Sequence, residues 1–404
     1  MSIPKMRFYG YDSPWKVSKL GELFEIYSGN TPSRSDRNNY DNGTIPWIKT
    51  TDLNNSLIYV NEEKISDHGA KKLKTLPKNT ILIAMYGGFN QIGRTGLLTY
   101  PATINQALAS LLPVKEINSY FLLNYLNLRK DSWRNVAASS RKDPNITKND
   151  VEKFKISFPS LEEQSAIGSL FRLLDDLLAS YKDNLANYQS LKASMLSKMF
   201  PKSGHTVPEI RLDGFEGEWD LIKLGDFCDL ITKGTTGKSQ SEQGMVNFVK
   251  VENLKDNEIY PIVKISEEEH FGSLKRSILY EGDILFSIAG TLGRTAIVKN
   301  NILPANTNQA LAIIRGYKLD AYFLLVVLSG EVVKDYIRKN PTVGAQPNLS
   351  LEQVSSLKIK IPSLDEQQAI GTYFSNLDNL INSHQEKIFQ LETLKKKLLQ
   401  DMFI

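Results

Sequence analysis

The residues of this 404-residue chain whose types and spacing suit chemistry lie in glycine- and hydroxyl-rich loops, and they come in pairs. SGNTPSR at 28–34 offers Ser28, Asn30, Thr31, Ser33 and Arg34, and TKGTTGKS at 232–239 offers Thr232, Lys233, Thr235, Thr236 and Lys238. Short hydroxyls, amides and cations around glycine are the groups that meet phosphate oxygens and base edges. The second loop ends like a phosphate-binding loop, but G-x-x-x-x-G-K-S built on Gly237 needs a glycine at 232, where Thr232 stands. ATP binding is set aside on that ground, which leaves an ordinary hairpin turn or a nucleic-acid contact.

Further pairs follow. PWIKTTDL at 46–53 resembles NFVKVENL at 247–254, offering Lys49 and Thr50 in the first and Lys250 and Asn253 in the second. Asn90 and Gln91 precede Gly93-Arg94-Thr95, which answers Gly293-Arg294-Thr295; such an arginine either faces guanine or phosphate or is solvated on a tight turn. Asn105-Gln106 and Asn308-Gln309 precede apolar runs and read as structural, satisfying neighbouring backbone, with a contact role as the alternative. SSRKDPNIT at 139–147 corresponds to VGAQPNLS at 343–350, so Arg141, Lys142, Asn145, Gln346 and Asn348 are candidates for a loop held against nucleic acid.

A reaction centre is not visible. His68, His205, His270 and His384 are scattered without metal-ligand spacing, and no G-x-S-x-G elbow occurs. Cys228 is the single cysteine, which excludes an intramolecular disulfide and suggests a reducing compartment. No Asn/Asp-Pro-Pro-aromatic segment, the grip of an adenine methyltransferase, is present. Apolar runs are too short for a bilayer, and the expected location is cytoplasmic, with no membrane partner. A formal net charge of +4 permits an anionic partner without demanding one.

The elements that must position these loops are announced by FPSLEEQSAIG at 158–168, which returns as IPSLDEQQAIG at 361–371. In each, a serine (Ser160, Ser363) stands three residues before a glutamate (Glu163, Glu366), the capping box in which hydroxyl and carboxylate reciprocally satisfy first-turn backbone N–H groups. Apolar residues then recur at three-and-four spacing from Ile167 to Met199 and from Ile370 to Met402. Roughly 40 residues at this rise make a rod of about 60 Å. Two rods with matching seams suggest a coiled coil, with two unrelated helices of a bundle as the alternative.

The repeat covers the whole chain. IPKMRFYGYDSPW at 3–15 aligns with VPEIRLDGFEGEW at 207–219, and INQALA at 104–109 with TNQALA at 307–312. Duplication of a globular domain plus one rod is the economical account. Each globular part mixes strands, such as 80–84, 283–288 and 311–315, with short helices at 120–129 and 322–336. A compact sheet or partial barrel with long loops is expected.

Two halves that each begin P-x-x-R-x-x-G-[YF]-x-x-x-W and end in a proline-serine-leucine-acid-Glu-Gln run before a long helix resemble, over essentially the full length, the specificity subunit of type I restriction-modification systems. The resemblance implies an α+β fold: two similar target-recognition domains separated by two long antiparallel coiled-coil helices, an internal pseudo-twofold repeat. Its boundaries would be 1–159 for the first recognition domain, 160–201 for the central spacer helix, 202–362 for the second recognition domain and 363–404 for the C-terminal spacer helix. It further implies a non-catalytic, sequence-specific binder of double-stranded DNA. Each domain would read half of a bipartite target, while two methyltransferase subunits carrying S-adenosylmethionine and motor-nuclease subunits using ATP and Mg2+ do the chemistry. Asp143 occupies the place of Gln346, a departure between the halves. A ruler follows from the rods: one heptad adds about 10.5 Å and a base pair about 3.4 Å, so seven residues inserted into both helices should lengthen the unread gap by roughly three base pairs. An unchanged gap in the mutant's methylation pattern would remove that reading. The alternative from another class is a coiled-coil protein-interaction scaffold without DNA readout, marked by salt-insensitive partner binding.

Overall fold

The structure is a computed structural model that describes residues 3–88, 90–137, 145–237, 244–339 and 348–404. It divides into two compact units: unit 1 comprises residues 1–182 and 386–404, and unit 2 residues 183–385.

In unit 1, five strands lie in the order Ile26–Ser28, Leu108–Leu111, Ile81–Ala84, Thr95–Leu98, Ser56–Ile58. A smaller sheet holds Ile45–Ile48 between Lys64–Ile65 and Thr103–Ile104. Ile81–Ala84, Thr95–Leu98 and Leu108–Leu111 are buried at every position, so their sequences read as continuous apolar runs rather than alternations. Unit 2 repeats the plan. Cys228–Lys233, Leu311–Tyr317, Ile284–Ser287 and Thr295–Ile297 make one sheet, and Val263–Ile265, Val246–Val249 and Ala305–Thr307 the other.

Helix α1 (Ser119–Leu128) closes the core of unit 1. The 38-residue helix α2 (Leu161–Lys198) begins in unit 1 and ends in unit 2. Helix α3 (Ala321–Ser329) is the counterpart of α1, and α4 (Leu364–Met402) begins in unit 2 and ends in unit 1. The single helix expected over 322–336 is broken: Gly330 takes an extended conformation, and a separate helix runs over Glu331–Lys339. Glycine stops a helix because it loses the most backbone freedom inside one.

Within each unit the two long helices run antiparallel. In unit 1 Asp175 pairs with Lys395, and Lys182 with Glu392 at 2.7 Å. In unit 2 Lys192 pairs with Asp378, while the rings of Tyr188 and His384 meet at 5.2 Å. The α4 terminus enters the core of unit 1, where Phe403 packs on Trp15, Phe121, Tyr125 and Phe171 with centroids 5.2 to 6.3 Å apart. In unit 2 Phe200, just past α2, meets Trp219, Phe323 and Phe374 in the same way. Each aromatic pair adds about 0.5–1.5 kcal/mol beyond the burial of its area.

Only half of each capping box forms. Ser160 Oγ accepts from the Glu163 N–H at 3.3 Å and Ser363 Oγ from Glu366 at 3.4 Å. The carboxylates turn elsewhere. Glu163 accepts from Arg7 Nε and Nη2 at 2.8 and 2.6 Å, and Glu366 from Arg211 at the same two distances. A bidentate arginine outcompetes one backbone N–H for a carboxylate out of water, because charge-assisted bonds are roughly twice as strong as neutral ones. The next residue, buried Gln164, donates to the Pro159 and Glu116 carbonyls and accepts from the Asn118 N–H at the start of α1. Gln367 bridges Pro362 to Asp320, at the start of α3, in the same manner. Through these side chains the start of each long helix is tied to the chain's arginine segment and, by way of the glutamine, to the start of the shorter helix of its unit.

Candidate nucleic-acid interface

One turn in each unit gathers the candidate segments. In unit 1 it is Asn105-Gln106-Ala107: Asn105 N–H donates to the Ile48 carbonyl at 3.0 Å, Asn30 N–H to Ile104 at 3.2 Å, and Met85 N–H to Ala107 at 2.8 Å. Ile146 N–H then donates to Met85 at 2.9 Å, which ties in the segment ahead of α2. In unit 2 the turn is Asn308-Gln309-Ala310, and the bonds recur: Asn308 to Val249 at 3.2 Å, Thr235 to Thr307 at 3.1 Å, Ile288 to Ala310 at 2.9 Å and Leu349 to Ile288 at 2.8 Å. Segments separated by as many as 116 positions thus share one edge.

The asparagine closes the turn, since Asn105 Oδ1 accepts from Ala107 N–H at 3.1 Å and Asn308 Oδ1 from Ala310 at 3.3 Å. That leaves the glutamine exposed. The Thr31 hydroxyl donates to Gln106 Oε1, and the Thr236 hydroxyl to Gln309 Oε1 at 2.9 Å. The glycine before each loop is required by contact: a Cβ on Gly29 would stand 1.9 Å from the Ile104 carbonyl oxygen, and one on Gly234 2.1 Å from that of Asn308. Neither loop is a simple hairpin turn, because the strands it joins belong to different sheets.

The other candidates divide into frame and surface. Arg94 donates to the Leu53 carbonyl at 3.4 Å, and Arg294 to the Val251 and Leu254 carbonyls at 3.2 Å each. The turns after Lys49 and Lys250 are closed by Asp52 and by buried Asn253, which accept from those lysines' N–H groups at 2.7 and 2.8 Å. Thr50 is half-buried in the first of them. Ser28 Oγ donates to the Gln106 carbonyl at 3.4 Å, and Thr232 lies in its strand opposite Ile313. Gln91 Oε1 and the Thr235 hydroxyl are buried without a hydrogen-bond partner. Asn30, Ser33, Arg34, Asn90, Lys233, Thr236 and Asn348 are exposed, and Asn145 is half-buried. Arg141, Lys142, Lys238 and Gln346, with Asp143, lie outside the described residues.

Unit 1 carries a cluster at this edge that the described residues of unit 2 do not repeat at the same strand positions, where Phe248 stands for Trp47 and Val263 for Glu63. The Arg34 guanidinium lies 4.3 Å from the Tyr40 ring centroid and 5.3 Å from that of Trp47, and both its terminal nitrogens donate to the Glu63 carboxylate, Nη2 at 2.9 Å. Lys49 Nζ stands 3.0 Å from Glu63 Oε2. The Arg34 hydrogen bonds, with Lys49 behind them, hold the Glu63 carboxyl below the usual carboxylate range. Tyr40 and Trp47 are themselves tied to the loop: the phenol donates to the Pro32 carbonyl at 2.6 Å, and the indole N–H to Asn30 at 3.2 Å. Reading the sequence missed Tyr40, Trp47 and Glu63; Gln106 and Gln309 were read as structural with contact as the alternative, and the structure leaves both side chains exposed. Among the described residues there is no group of three or more His, Cys, Asp or Glu side chains that would hold a metal, and no helix long and apolar enough to cross a membrane.

Comparison with known proteins matches residues 12–187 and 216–393 to the family model for the type I restriction modification DNA specificity domain. The chain is 24% identical over 405 residues to the type I restriction enzyme MjaVIII specificity subunit of Methanocaldococcus jannaschii, covering 95% of this chain and 91% of that one. It is 24% identical over 384 residues to the EcoprrI specificity subunit of Escherichia coli, with coverage of 90% and 88%. Among solved structures, the S subunit of a type I restriction-modification system from M. genitalium superposes with a TM-score of 0.68 at 18% identity, over 100% of this chain and 99% of that one.

Proposed function

Since the chain belongs to the type I restriction modification DNA specificity family, and is thus a non-catalytic DNA-recognition component, we propose that each unit reads one half of a bipartite target in double-stranded DNA. In this reading each unit meets DNA with the edge gathered by its own Asn-Gln-Ala turn. The chain directs adenine methylation by two methyltransferase subunits, which bring S-adenosylmethionine, and restriction by motor-nuclease subunits, which bring ATP and Mg2+. It works in the cytoplasm, where those partners meet DNA.

The observation that carries the proposal is a repeated hydrogen-bond frame bearing different side chains. Base identity is available only to groups that reach the base edges, so two separated readers with unlike loops suit two unlike half-sites. Methylation within a duplex needs the adenine flipped out of the stack, a task for the methyltransferase while these units hold register. The test is to express the chain with its methyltransferase in a host lacking adenine methylation and map modified adenines genome-wide. A split motif with two defined halves around a fixed gap is the expected result. A soluble complex that leaves adenines unmodified and binds DNA without sequence preference would remove the proposal.

A further inference from the structure

The Arg34 cluster combines a cation, an anion and an aromatic shelf at the edge where the proposed DNA contact lies. Arg34 is the group left outward, with a side chain 58% exposed, while Glu63 beneath it is 21% exposed. Its guanidinium is fixed along one edge by the carboxylate and on one face by Tyr40 and Trp47. Both bonds to Glu63 use the terminal nitrogens, which leaves the side-on edge of the guanidinium, Nε–H with one further N–H, to donate.

Two kinds of DNA acceptor compete for such a fork, a phosphate oxygen pair and the O6/N7 edge of guanine. Glu63 decides between them. A carboxylate bonded to the same guanidinium repels a phosphate brought against it, whereas a guanine edge carries no net charge and meets no such repulsion. The carboxylate also fixes the plane of the fork before binding, which cuts the rotamer entropy lost on contact. A phosphate contact has no need of either constraint, because a flexible lysine serves it as a point charge. Lys49, on the same Glu63 Oε2 that accepts from Arg34 Nη2, keeps the net charge of the three groups positive so that the duplex is still attracted.

We propose that Arg34 is a base-reading residue of unit 1, that it takes the major-groove edge of a guanine in one half-site, and that Glu63 is its positioning residue. The inference rests on the DNA-reading proposal above. In unit 2 Val263 holds the place of Glu63, and Phe248 that of Trp47, so the second half-site is read by other means.

The test compares the full-length chain with its methyltransferase in wild-type, Arg34→Lys, Arg34→Ala and Glu63→Gln forms. It uses methylation maps and DNA-binding titrations at several salt concentrations, with thermal unfolding as the folding control. The wild type is expected to require a guanine at one position of one half-site. Arg34→Lys, which keeps the charge and loses the fork, should relax that position alone and weaken cognate binding about 10- to 100-fold, the range for loss of one bidentate base contact. Arg34→Ala should do the same, with the other half-site unchanged. Glu63→Gln should raise binding to unrelated DNA and blunt discrimination at that same guanine. A split motif that survives both Arg34 variants unchanged overturns this inference alone. So does an Arg34→Ala loss that is equal for cognate and unrelated DNA, is rescued by lysine and lowers the salt slope by about one, the mark of a phosphate contact. A wild-type map with no split motif overturns the bipartite-target proposal instead.

Discussion

In unit 1 Arg7 grips Glu163 at 2.8 and 2.6 Å, and in unit 2 Arg211 grips Glu366 at the same distances. At the loop edge, by contrast, unit 1 stacks Arg34 over Tyr40 beside Glu63, where unit 2 has Val263. The repeated arginine–glutamate pairs anchor the long helices, whereas the Arg34 group lies where side chains face outward. A frame that stays constant lets loops change without moving the edge that carries them, which is what a family of DNA readers with differing targets needs.

The sharpest way to break that comparison is to remove one arginine of the frame. Arg7→Met strands the Glu163 carboxylate, 1% exposed, without its partner, and Arg211→Met does the same to Glu366. Breaking a buried pair from one side costs about 3–5 kcal/mol, so each variant should lower the unfolding free energy of its own unit by that amount, read as a lower denaturant midpoint at unchanged slope. Adding Glu163→Leu to Arg7→Met should recover most of the loss, because an apolar pair leaves no charge unpaired. Losses that differ widely between the two units would show that the frames are alike in geometry and not in energy.

This pair also marks how far the sequence could be read. The serine and glutamate three apart announced the starts of both long helices, and the serines do accept from the N3 N–H groups. The partner of Glu163 lies 156 residues away, and no spacing rule reaches that far. Repetition did: Arg7 and Arg211 stood out because their surroundings recur, although the reason for the recurrence is packing. The same limit applies at the loops. Arg34 was visible as a basic residue among hydroxyls, but Glu63 sits 29 positions on, beside a strand of the other sheet, and only the folded sheets bring them together. Asn253, chosen for its polarity, is buried and closes its own turn, a role that composition does not separate from surface contact.

A smaller effect tests where the two cores differ. Tyr125 of α1 packs on Phe121 and Phe403, at 6.4 and 6.0 Å, and its hydroxyl accepts from the Ser157 N–H at 3.2 Å. Val327 takes its place in α3, and unit 2 has there a cleft of about 650 Å³ lined by Phe200, Val327, Leu357, Ile359 and Lys360. Tyr125→Val should cost unit 1 about 2–4 kcal/mol, as large-to-small core changes do. Val327→Tyr should gain unit 2 up to about 1 kcal/mol, the yield of cavity filling. Calorimetry of the two variants separates them by sign. A destabilised Val327→Tyr would mean that the cleft is shaped against an aromatic ring.

The smallest effect concerns the polar contacts between the long helices. Tyr120 donates to Asp175 Oδ2 at 2.7 Å, and Asp175 in turn pairs with Lys395; in unit 2 Tyr322 stands beside Asp378, which pairs with Lys192. Burial, with the Asp378 charge behind it, pushes the Tyr322 phenol up to about 12. A phenol whose pKa is raised on folding, from about 10 in the unfolded chain, contributes stability in full below pH 10 and loses it as the pH climbs through 12. Two pH units correspond to at most about 2–3 kcal/mol. Unit 2 should therefore weaken between pH 10 and pH 12, and Tyr322→Phe should flatten part of that slope, the rest belonging to Tyr317, which burial also pushes up to about 12. Denaturant midpoints from pH 9 to pH 12 read this directly. A slope unchanged by Tyr322→Phe would place the alkaline loss elsewhere, and would mean that the tyrosine next to the Asp378–Lys192 pair ionises as freely folded as unfolded.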